Sequence, residues 1–239
     1  MDEPSSKCMD HANSMEQHGQ SLPKLIEFEQ GNEYNKNKNK TRRGNGRKNN
    51  KNFKNANKVI ELSILGTNAN GLLGKQESLI NNINHFKPSI ITIQETKIKR
   101  IGSIKLKGYQ IFEKPREGGR CGGGLFTAVD DDLSPVLISD GNDNETEVIT
   151  VQIKVGKYNI RIINGYGPQE DENNEKIYDF WQKVENEIIA ARENECLVMV
   201  QMDANAKIGK EKIVRTKNGR IMMEMAYRQE MTIANTVVG

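Results

Sequence analysis

The first regular pattern along the chain begins at residue 59 and predicts a strand, a helix and a second strand. Residues 59–66 (VIELSILG) are a compact apolar run rich in β-formers, and the turn-prone TNANG follows them, so we expect a buried strand. Residues 74–86 carry apolar side chains at helical spacing and are closed by Lys87-Pro88, which predicts a helix. Residues 89–94 (SIITIQ) predict a second buried strand.

Strands and helices continue to alternate in the rest of the chain. Residues 147–155 and 158–164 read as strands joined by a short Gly-Lys turn, which predicts an antiparallel hairpin. A long amphipathic helix is predicted over 172–192. Further strands are predicted at 109–112, 124–129, 196–202 and 231–238, and a further helix at 221–230. This alternation favours an α/β fold.

Composition divides the chain into a tail and a domain. Residues 36–58 carry ten basic and no acidic side chains, whereas residues 59–239 carry 23 basic and 25 acidic ones. The tail cannot bury enough apolar surface to offset its ordering entropy, so we expect disorder over 1–58 and one domain over 59–239. Arg42, Arg43, Arg47 and Lys48 would suit a nucleic-acid-binding or nuclear-localisation arm. A solvated linker remains an equal alternative.

Several protein classes are disfavoured by what the sequence lacks. No apolar run approaches the length of a membrane-spanning helix, and the first thirty residues have no signal-peptide core. The three cysteines are far apart and form no CxxC pair, so neither a disulfide framework nor a thiolate zinc site is indicated. We therefore expect an intracellular protein, nuclear rather than cytoplasmic, and neither secreted nor bound to a membrane.

Two acidic residues directly follow strongly apolar strands. Glu95 follows SIITIQ and Asp203 follows CLVMVQM, so a sheet would hold both carboxylates at one rim. Carboxylates gathered there repel each other unless a cation lies between them. Hard oxygen ligands favour magnesium or manganese over zinc. Taken singly, each acid is better explained as a solvated residue at a strand end.

Other polar residues occupy the same kind of position. Asn68 and Asn70 lie in TNANGL, Tyr166 lies in NGYGP, and Asn205 lies in MDANAKIG. Together with the QETK motif, these residues resemble the endonuclease/exonuclease/phosphatase superfamily over residues 59–239. The resemblance is strongest to endonuclease domains of non-LTR retrotransposons and to craniofacial development protein 2-like sequences, which have a similar NGRIMMEMAYRQEMTIANT segment.

The resemblance implies a fold, a cofactor and a reaction. The fold would be a four-layer α/β sandwich, in which two mixed β-sheets pack face to face and are flanked by helices. The reaction would be Mg²⁺-dependent cleavage of DNA, with Mn²⁺ as a substitute and no small-molecule cofactor. Glu95 would be the principal metal ligand, assisted by Asn70 at a position where many relatives carry aspartate.

The remaining site roles implied by the resemblance concern water and phosphate. Asp203 would orient or deprotonate the attacking water. Asn205 and Asn68 would hydrogen-bond phosphate oxygens. Tyr166 would position the phosphate or stabilise its developing charge. The combined task would be in-line hydrolysis of a phosphodiester.

The chain also departs from the family pattern. The family closes its site with a C-terminal Ser-Asp-His element, and no histidine follows His85 here. We therefore expect the second sheet to lack its last strands, and the reverse transcriptase of a retrotransposon parent to be absent. Two alternatives stay open: an inactive fragment that acts as a nucleic-acid-binding or interaction module, and a phosphatase or small phosphodiesterase of the same superfamily.

Overall fold

The computed structural model of the 239-residue chain describes residues 59–116, 122–140, 146–208 and 216–234, together with the backbone of residues 24–29. Its strands are β1 (Lys24–Glu29), β2 (Val59–Asn68), β3 (Ile90–Gln94), β4 (Tyr109–Lys114), β5 (Leu125–Asp130), β6 (Val136–Ser139), β7 (Val148–Val155), β8 (Tyr158–Tyr166) and β9 (Leu197–Asp203). Its helices are α1 (Gln76–Phe86), α2 (Asn174–Glu193) and α3 (Lys217–Arg228).

The strands form two mixed sheets. Sheet A has the order β1-β2-β3-β5-β4, in which β2 and β3 are parallel and the other neighbours are antiparallel. Sheet B has the order β6-β7-β8-β9, in which β8 and β9 are parallel and the other neighbours are antiparallel. Each sheet therefore contains one parallel pair, and these two pairs carry the candidate site.

A layer of aliphatic side chains lies between the two sheets. Strands alternate with period two, so Leu62 and Ile64 of β2 enter this layer whereas Leu65 faces the other way. Sheet B contributes every second residue of β7, from Ile149 to Val155. Burying one such side chain stabilises the fold by about 1.5–3 kcal/mol. The burial of this layer is therefore the main contribution that holds the two sheets together.

Helices cover the outer faces of both sheets. Helix α1 packs Leu79 and Ile83 on the outer face of sheet A. Helix α2 packs Trp181, Val184 and other residues of its apolar stripe on sheet B, beside α3. The expected four-layer α/β sandwich is confirmed. No helix in the described ranges is long and apolar enough to cross a membrane.

Four features of the fold differ from the sequence-based expectations. Strand β1, a segment of three apolar and three charged residues, pairs with β2 inside the region expected to be disordered, because composition averaged over 1–58 hides it. The other residues of 1–58 lie outside the described residues. The four-residue edge strand β6 was not predicted, because its apolar run is only three residues long. Helix α3 begins four residues earlier than predicted, because the Thr216 side chain caps it through the Gly219 amide.

The last predicted strand is wrong over the residues that the structure describes. Residues 231–234 form no strand, and 235–239 lie outside the described residues. A strand needs a neighbour with which to exchange backbone hydrogen bonds. Within the described part of the chain, β9 pairs with β8 alone.

Candidate functional site

The candidate site lies where four strands end at one rim of the sandwich. In the parallel pair of sheet A, Asn68 of β2 is opposite Gln94 of β3, directly before Glu95. In the parallel pair of sheet B, Tyr166 of β8 is opposite Asp203 of β9. Parallel strands end at the same edge of a sheet, and the two edges meet because the sheets are stacked.

A hydrogen bond joins the two sheets at this rim. The side-chain amide of Asn68 donates to Oδ2 of Asp203 over 2.6 Å. The other carboxylate oxygen, Oδ1, accepts from the backbone N–H of Asn205 over 3.1 Å. The side-chain amide of Asn205 in turn donates to the carbonyl of Gly167 over 2.7 Å. Both oxygens of Asp203 are thus held by neutral donors.

Glu95 and Asn70 face the same cation, which is the ammonium of Lys97. Lys97 Nζ donates to Oδ1 of Asn70 over 2.6 Å and lies 3.6 Å from Oε1 of Glu95. The backbone N–H of Asn70 donates to Oδ1 of Asn68 over 2.9 Å. A continuous chain of contacts therefore runs from Glu95 to Asp203 and Asn205.

Four of the eight described non-glycine residues with a positive φ lie at the rim. Asn70, Glu95, Lys97 and Asn205 have φ values of 45°, 53°, 54° and 45°. Asparagine tolerates this left-handed region, but glutamate and lysine rarely adopt it. Hydrogen bonds hold the strained segment in place, among them the one from the Lys97 amide to the carbonyl of Gly123 over 2.9 Å. Strain of this kind is typical of functional sites.

Tyr166 is buried beside both carboxylates. Burial raises the pKa of its phenol first, and the negative charge of Glu95 and then that of Asp203 raise it further, against the opposing effect of hydrogen bonding with Asn205. The phenol oxygen also accepts from the Gln169 amide over 3.2 Å. Tyr166 therefore stays protonated at neutral pH and can donate a hydrogen bond to an anion.

Arg116, which sequence reasoning missed, covers the other side of Tyr166. Its guanidinium carbon lies 5.6 Å from the centre of the Tyr166 ring, within the range of a cation–π interaction. Glu147 pairs with the guanidinium, and its backbone carbonyl accepts from the Tyr166 amide over 3.0 Å. Burial lowers the pKa of Arg116, but the hydrogen bond and charge of Glu147, with smaller electrostatic contributions from Tyr166 and Glu172, together raise it above its ordinary value. Glu147 thus positions both partners of the ring contact.

A buried polar bridge lies directly beneath the rim. The side-chain amide of Gln94 donates to Oδ1 of Asn164 over 2.7 Å. Asn164 donates in turn to the Phe126 carbonyl and to Oγ1 of Thr127, each over 3.0 Å. Gln94 precedes Glu95, and Asn164 lies two residues before Tyr166, so the bridge fixes how these two site residues face each other. This accounts for the glutamine of QETK and the asparagine of NGYGP.

Asn218, at the start of α3, was also missed by sequence reasoning. It is completely buried, and its Oδ1 accepts from the indole N–H of Trp181 over 2.8 Å. Its Nδ2 donates to the carbonyl of Pro168 over 2.8 Å and reaches that of Asn205 at 3.4 Å. Asn218 therefore joins the two loops that follow Tyr166 and Asp203. The capping threonine two residues earlier was the sequence signal that could have located it.

Gly167 allows these two loops to approach closely. A Cβ at this position would lie 2.7 Å from the carbonyl oxygen of Ala204. The Gly167 amide donates to the Asp203 carbonyl over 2.7 Å. Any side chain here would push apart the backbone on which Asp203 depends.

Two further predictions concern the basic residues of the tail and the metal site. Arg42, Arg43, Arg47 and Lys48 lie outside the described residues. No group of three or more His, Cys, Asp or Glu side chains suited to a metal ion occurs in the part of the chain that the structure describes. The charged part of a metal site at the rim would therefore come from Glu95, with amide oxygens beside it.

Solved structures share this architecture, although no family model matches the sequence. The AP endonuclease LMAP from Leishmania major has a TM-score of 0.56 and 16% identity over 70% of this chain and 66% of its own. The 3'-5' exonuclease NExo from Neisseria meningitidis has a TM-score of 0.50 and 14% identity over 68% and 70%. The endonuclease domain of TRAS1, a telomere-specific non-LTR retrotransposon, has a TM-score of 0.49 and 20% identity over 70% and 69%.

The first two likenesses define the class of fold. The chain spans about two thirds of the length of these structures. It is a two-sheet α/β sandwich whose parallel strand ends meet at one polar rim. The chain has the fold of the endonuclease/exonuclease/phosphatase superfamily.

Proposed function

We propose that the chain is a Mg²⁺-dependent phosphodiesterase that cleaves DNA as an endonuclease and derives from a non-LTR retrotransposon. The observation that carries the proposal is the connected rim, in which Asn68 joins Asp203 across the sheets and Lys97 joins Glu95 to Asn70. Mn²⁺ would substitute for Mg²⁺, because both accept hard oxygen ligands.

The residues at the rim fit a hard divalent cation. Oε1 of Glu95 and Oδ1 of Asn70 both lie within reach of one ammonium, so they face a position suited to positive charge. The Lys97 side chain is 44% exposed and Glu95 is 20% exposed, which leaves the position open to solvent. Mg²⁺ commonly binds through one or two carboxylates and keeps several waters. Glu95 and Asn70 would hold it.

The rim also supplies groups for the attack on phosphorus. When bound, the metal would polarise the phosphoryl group and offset negative charge on the leaving oxygen. Asp203, held on both oxygens, would orient the attacking water and accept its proton as the new O–P bond forms and the bond to the leaving oxygen breaks. Asn68 and Asn205 would hydrogen-bond phosphate oxygens.

Tyr166 would act as a neutral hydrogen-bond donor to the phosphate. Its raised pKa keeps the phenol protonated, and a preorganised donor of this kind stabilises charge that develops in the transition state. Arg116, stacked on the ring, would hold the phenol in place. Its charge is already paired with Glu147, so its role is to position the ring.

DNA is the proposed substrate because the fold and the motifs point in the same direction. The solved structures with a similar fold include an AP endonuclease and a 3'-5' exonuclease. The NANGL, QETK, GYGP and DANAKIG motifs resemble retrotransposon endonucleases. Arg42, Arg43, Arg47 and Lys48 would add affinity for DNA that falls as salt rises, and a nuclear location would bring the chain to that substrate.

A catalytically silent nucleic-acid-binding module is the second candidate. It is favoured by Asn70, a neutral amide beside Glu95 where a second carboxylate would bind the cation more tightly. A third candidate, a phosphatase or small phosphodiesterase, uses the same rim and differs only in substrate.

A plasmid-nicking assay tests the proposal. The full chain is incubated with supercoiled plasmid and Mg²⁺, beside Glu95→Gln and the control Glu77→Gln, which changes an exposed carboxylate on α1. We expect nicking by the native chain and by Glu77→Gln, and none by Glu95→Gln. Folded native protein that leaves the plasmid intact would favour the silent module. Hydrolysis of small phosphate esters without nicking would favour the third candidate.

A further inference from the structure

Five of the 23 basic side chains in residues 59–239 lie in one loop beside the rim. Residues 97–107 (KIKRIGSIKLK), here called the basic loop, contain five basic and no acidic side chains. The other residues of 59–239 hold 18 basic and 25 acidic ones, so the rest of this region is acidic. All five basic side chains of the loop are exposed.

The basic loop is held to the fold by its apolar residues and its backbone. Ile98 and Ile104 are buried in the layer between sheet A and α1. The hydroxyl of Ser103 donates to the carbonyl of Arg100 over 2.6 Å, and the amide of Gly102 donates to a carboxylate oxygen of Glu113. The basic side chains therefore project from a fixed backbone rather than from a loose chain.

The first half of the basic loop lies at the candidate site. Lys97 contacts Glu95 and Asn70. Glu113, which holds Gly102, is opposite Phe126 on β5, and Phe126 is opposite Ile93 on β3. The segment 97–102 thus stays beside the end of the sheet that carries Glu95, whereas the second half runs back to Tyr109 at the start of β4.

Lys99 and Arg100 carry charge that the described residues do not neutralise. Lys97 has Glu95 as an ion-pair partner, but neither Lys99 nor Arg100 forms an ion pair with another described residue. Cations that project beside a phosphodiester-binding rim, without an internal partner, suit the phosphates that flank the reacting one.

We propose that Lys99 and Arg100 form a binding site for the DNA backbone and contact phosphates next to the one at the rim. This inference rests on the proposed function, because it takes the rim as the place where a phosphodiester lies. The contact reads charge and not base sequence. Its partner is duplex DNA and not a lipid surface, since Ile101 is the only exposed large apolar side chain in the basic loop, and a surface anchor needs a broader apolar face.

Charge reversal with a matched control tests the proposal. Lys99→Glu/Arg100→Glu is compared with Lys154→Glu/Lys157→Glu in the full chain, so both variants change the net charge equally. Lys154 and Lys157 flank the β7–β8 turn, at the opposite end of β8 from Tyr166. Binding to a 30-base-pair duplex of mixed sequence is measured with EDTA present, so that no cleavage occurs, over a range of salt concentrations.

We expect the Lys99/Arg100 variant alone to bind the duplex more weakly. The slope of log K against log salt should fall in magnitude by about 2, because each lost phosphate contact changes it by about 0.9. Equal losses in both variants, no loss in either, or no binding by the native chain would overturn the proposal. So would undiminished duplex binding combined with a loss of binding to vesicles of anionic lipid. If the reversal variant does not fold, Lys99→Gln/Arg100→Gln replaces it, with an expected slope change of the same direction.

The outcome is separable from that of the proposed function. Binding that depends on Lys99 and Arg100, in a chain that nicks no plasmid, would support the DNA site and refute the nuclease. If the native chain nicks plasmid but its duplex binding does not change when Lys99 and Arg100 are replaced, the nuclease would be supported and the DNA site refuted.

Discussion

The side-chain amide of Asn68, at the end of β2, lies 2.6 Å from Oδ2 of Asp203, at the end of β9. The first residue belongs to sheet A and the second to sheet B, so this hydrogen bond spans the mouth of the sandwich. The second oxygen of Asp203 accepts from the Asn205 amide. The carboxylate is thereby fixed by one donor from sheet A and one from the loop that follows β9.

Replacing Asn68 with alanine is expected to slow cleavage while leaving the fold intact. A hydrogen bond to a charged group contributes about 1.5–3 kcal/mol, so its loss at Asp203 should lower kcat roughly 10- to 100-fold. Initial rates of plasmid nicking at saturating Mg²⁺ measure the effect. Asn81→Ala, on the exposed side of α1, is the control and should retain the native rate. An undiminished rate in Asn68→Ala would show that this hydrogen bond does not contribute to cleavage.

Much of the fold could be predicted because its signals are local. The period-two pattern of β2 and β7 and the helical period of α2 follow from which side chains face the layer between the sheets. The placement of Glu95 and Asp203 at strand ends was also local. Strand β6 escaped prediction because its apolar run is only three residues long, which is too short for a distinctive strand pattern.

The contacts within the site could not be predicted, because they join distant parts of the chain. Asn68 and Asp203 are 135 residues apart, and only the stacking of the two sheets brings them together. Lys97 belongs to the QETK motif, but nothing in the sequence shows that its ammonium lies between Glu95 and Asn70. Asn218 resembles any asparagine in a polar turn until the packing of α3 against α2 buries it against Trp181.

The two proposed metal ligands should differ in strength. Glu95→Gln removes a formal negative charge, whereas Asn70→Ala removes a neutral oxygen, so Glu95→Gln should weaken Mg²⁺ binding more. Calorimetric titration of Mg²⁺ into the full chain, without DNA, gives both dissociation constants. The reverse order would refute the ligand assignment, since it would make the neutral amide the stronger ligand.

Lys97 should compete with the divalent cation. Its ammonium contacts the same two oxygens that the metal would use, and the side chain is exposed, so its charge is worth only about 1 kcal/mol. Lys97→Met is therefore expected to tighten Mg²⁺ binding roughly 5-fold. The same calorimetric titration measures it, with Lys154→Met as the control at the far end of β7. Weaker binding in Lys97→Met would mean that the lysine supports the site instead of occupying it.

Asn218 should matter to stability as well as to the site. Asn218→Ala leaves the Trp181 indole and the Pro168 carbonyl without their buried partner, so the free energy of unfolding should fall by about 2–4 kcal/mol. Trp181 is the single tryptophan of the chain, and its fluorescence follows urea unfolding directly. Asn186→Ala, on the exposed side of α2, should stay near the native value. Equal stabilities of the two variants would show that the bridge contributes little.

Tyr166 should make stability depend on pH only in the alkaline range. Burial first, then Glu95 and Asp203, raise the pKa of its phenol above the ordinary 10.0, so the folded chain holds this proton more tightly than the unfolded chain. The resulting stability is fully present below pH 10 and is lost as the pH rises through the folded-state pKa. Urea unfolding of native protein and Tyr166→Phe from pH 7 to 11 should give a constant difference below about pH 9.5. Above pH 10 the native chain should lose stability relative to the variant.

A second, half-buried phenol provides the comparison for Tyr166. The pKa of Tyr109 is also raised, by burial first and by Asp130 second, and Tyr109 lies at the start of β4, away from the rim. Tyr109→Phe should therefore remove a second, separate loss of stability at alkaline pH. The effects of Tyr109→Phe and Tyr166→Phe on stability should add, because the two residues share no partner. Cleavage assays distinguish the two tyrosines. Below pH 10, ionisation of Tyr166 should cause no fall in kcat. Tyr166→Phe should lower kcat, whereas Tyr109→Phe should not. If the native chain began to lose stability relative to Tyr166→Phe near pH 8, the raised pKa would be contradicted. Such a loss would mean that the phenol lies beside a cation and releases its proton at a lower pH.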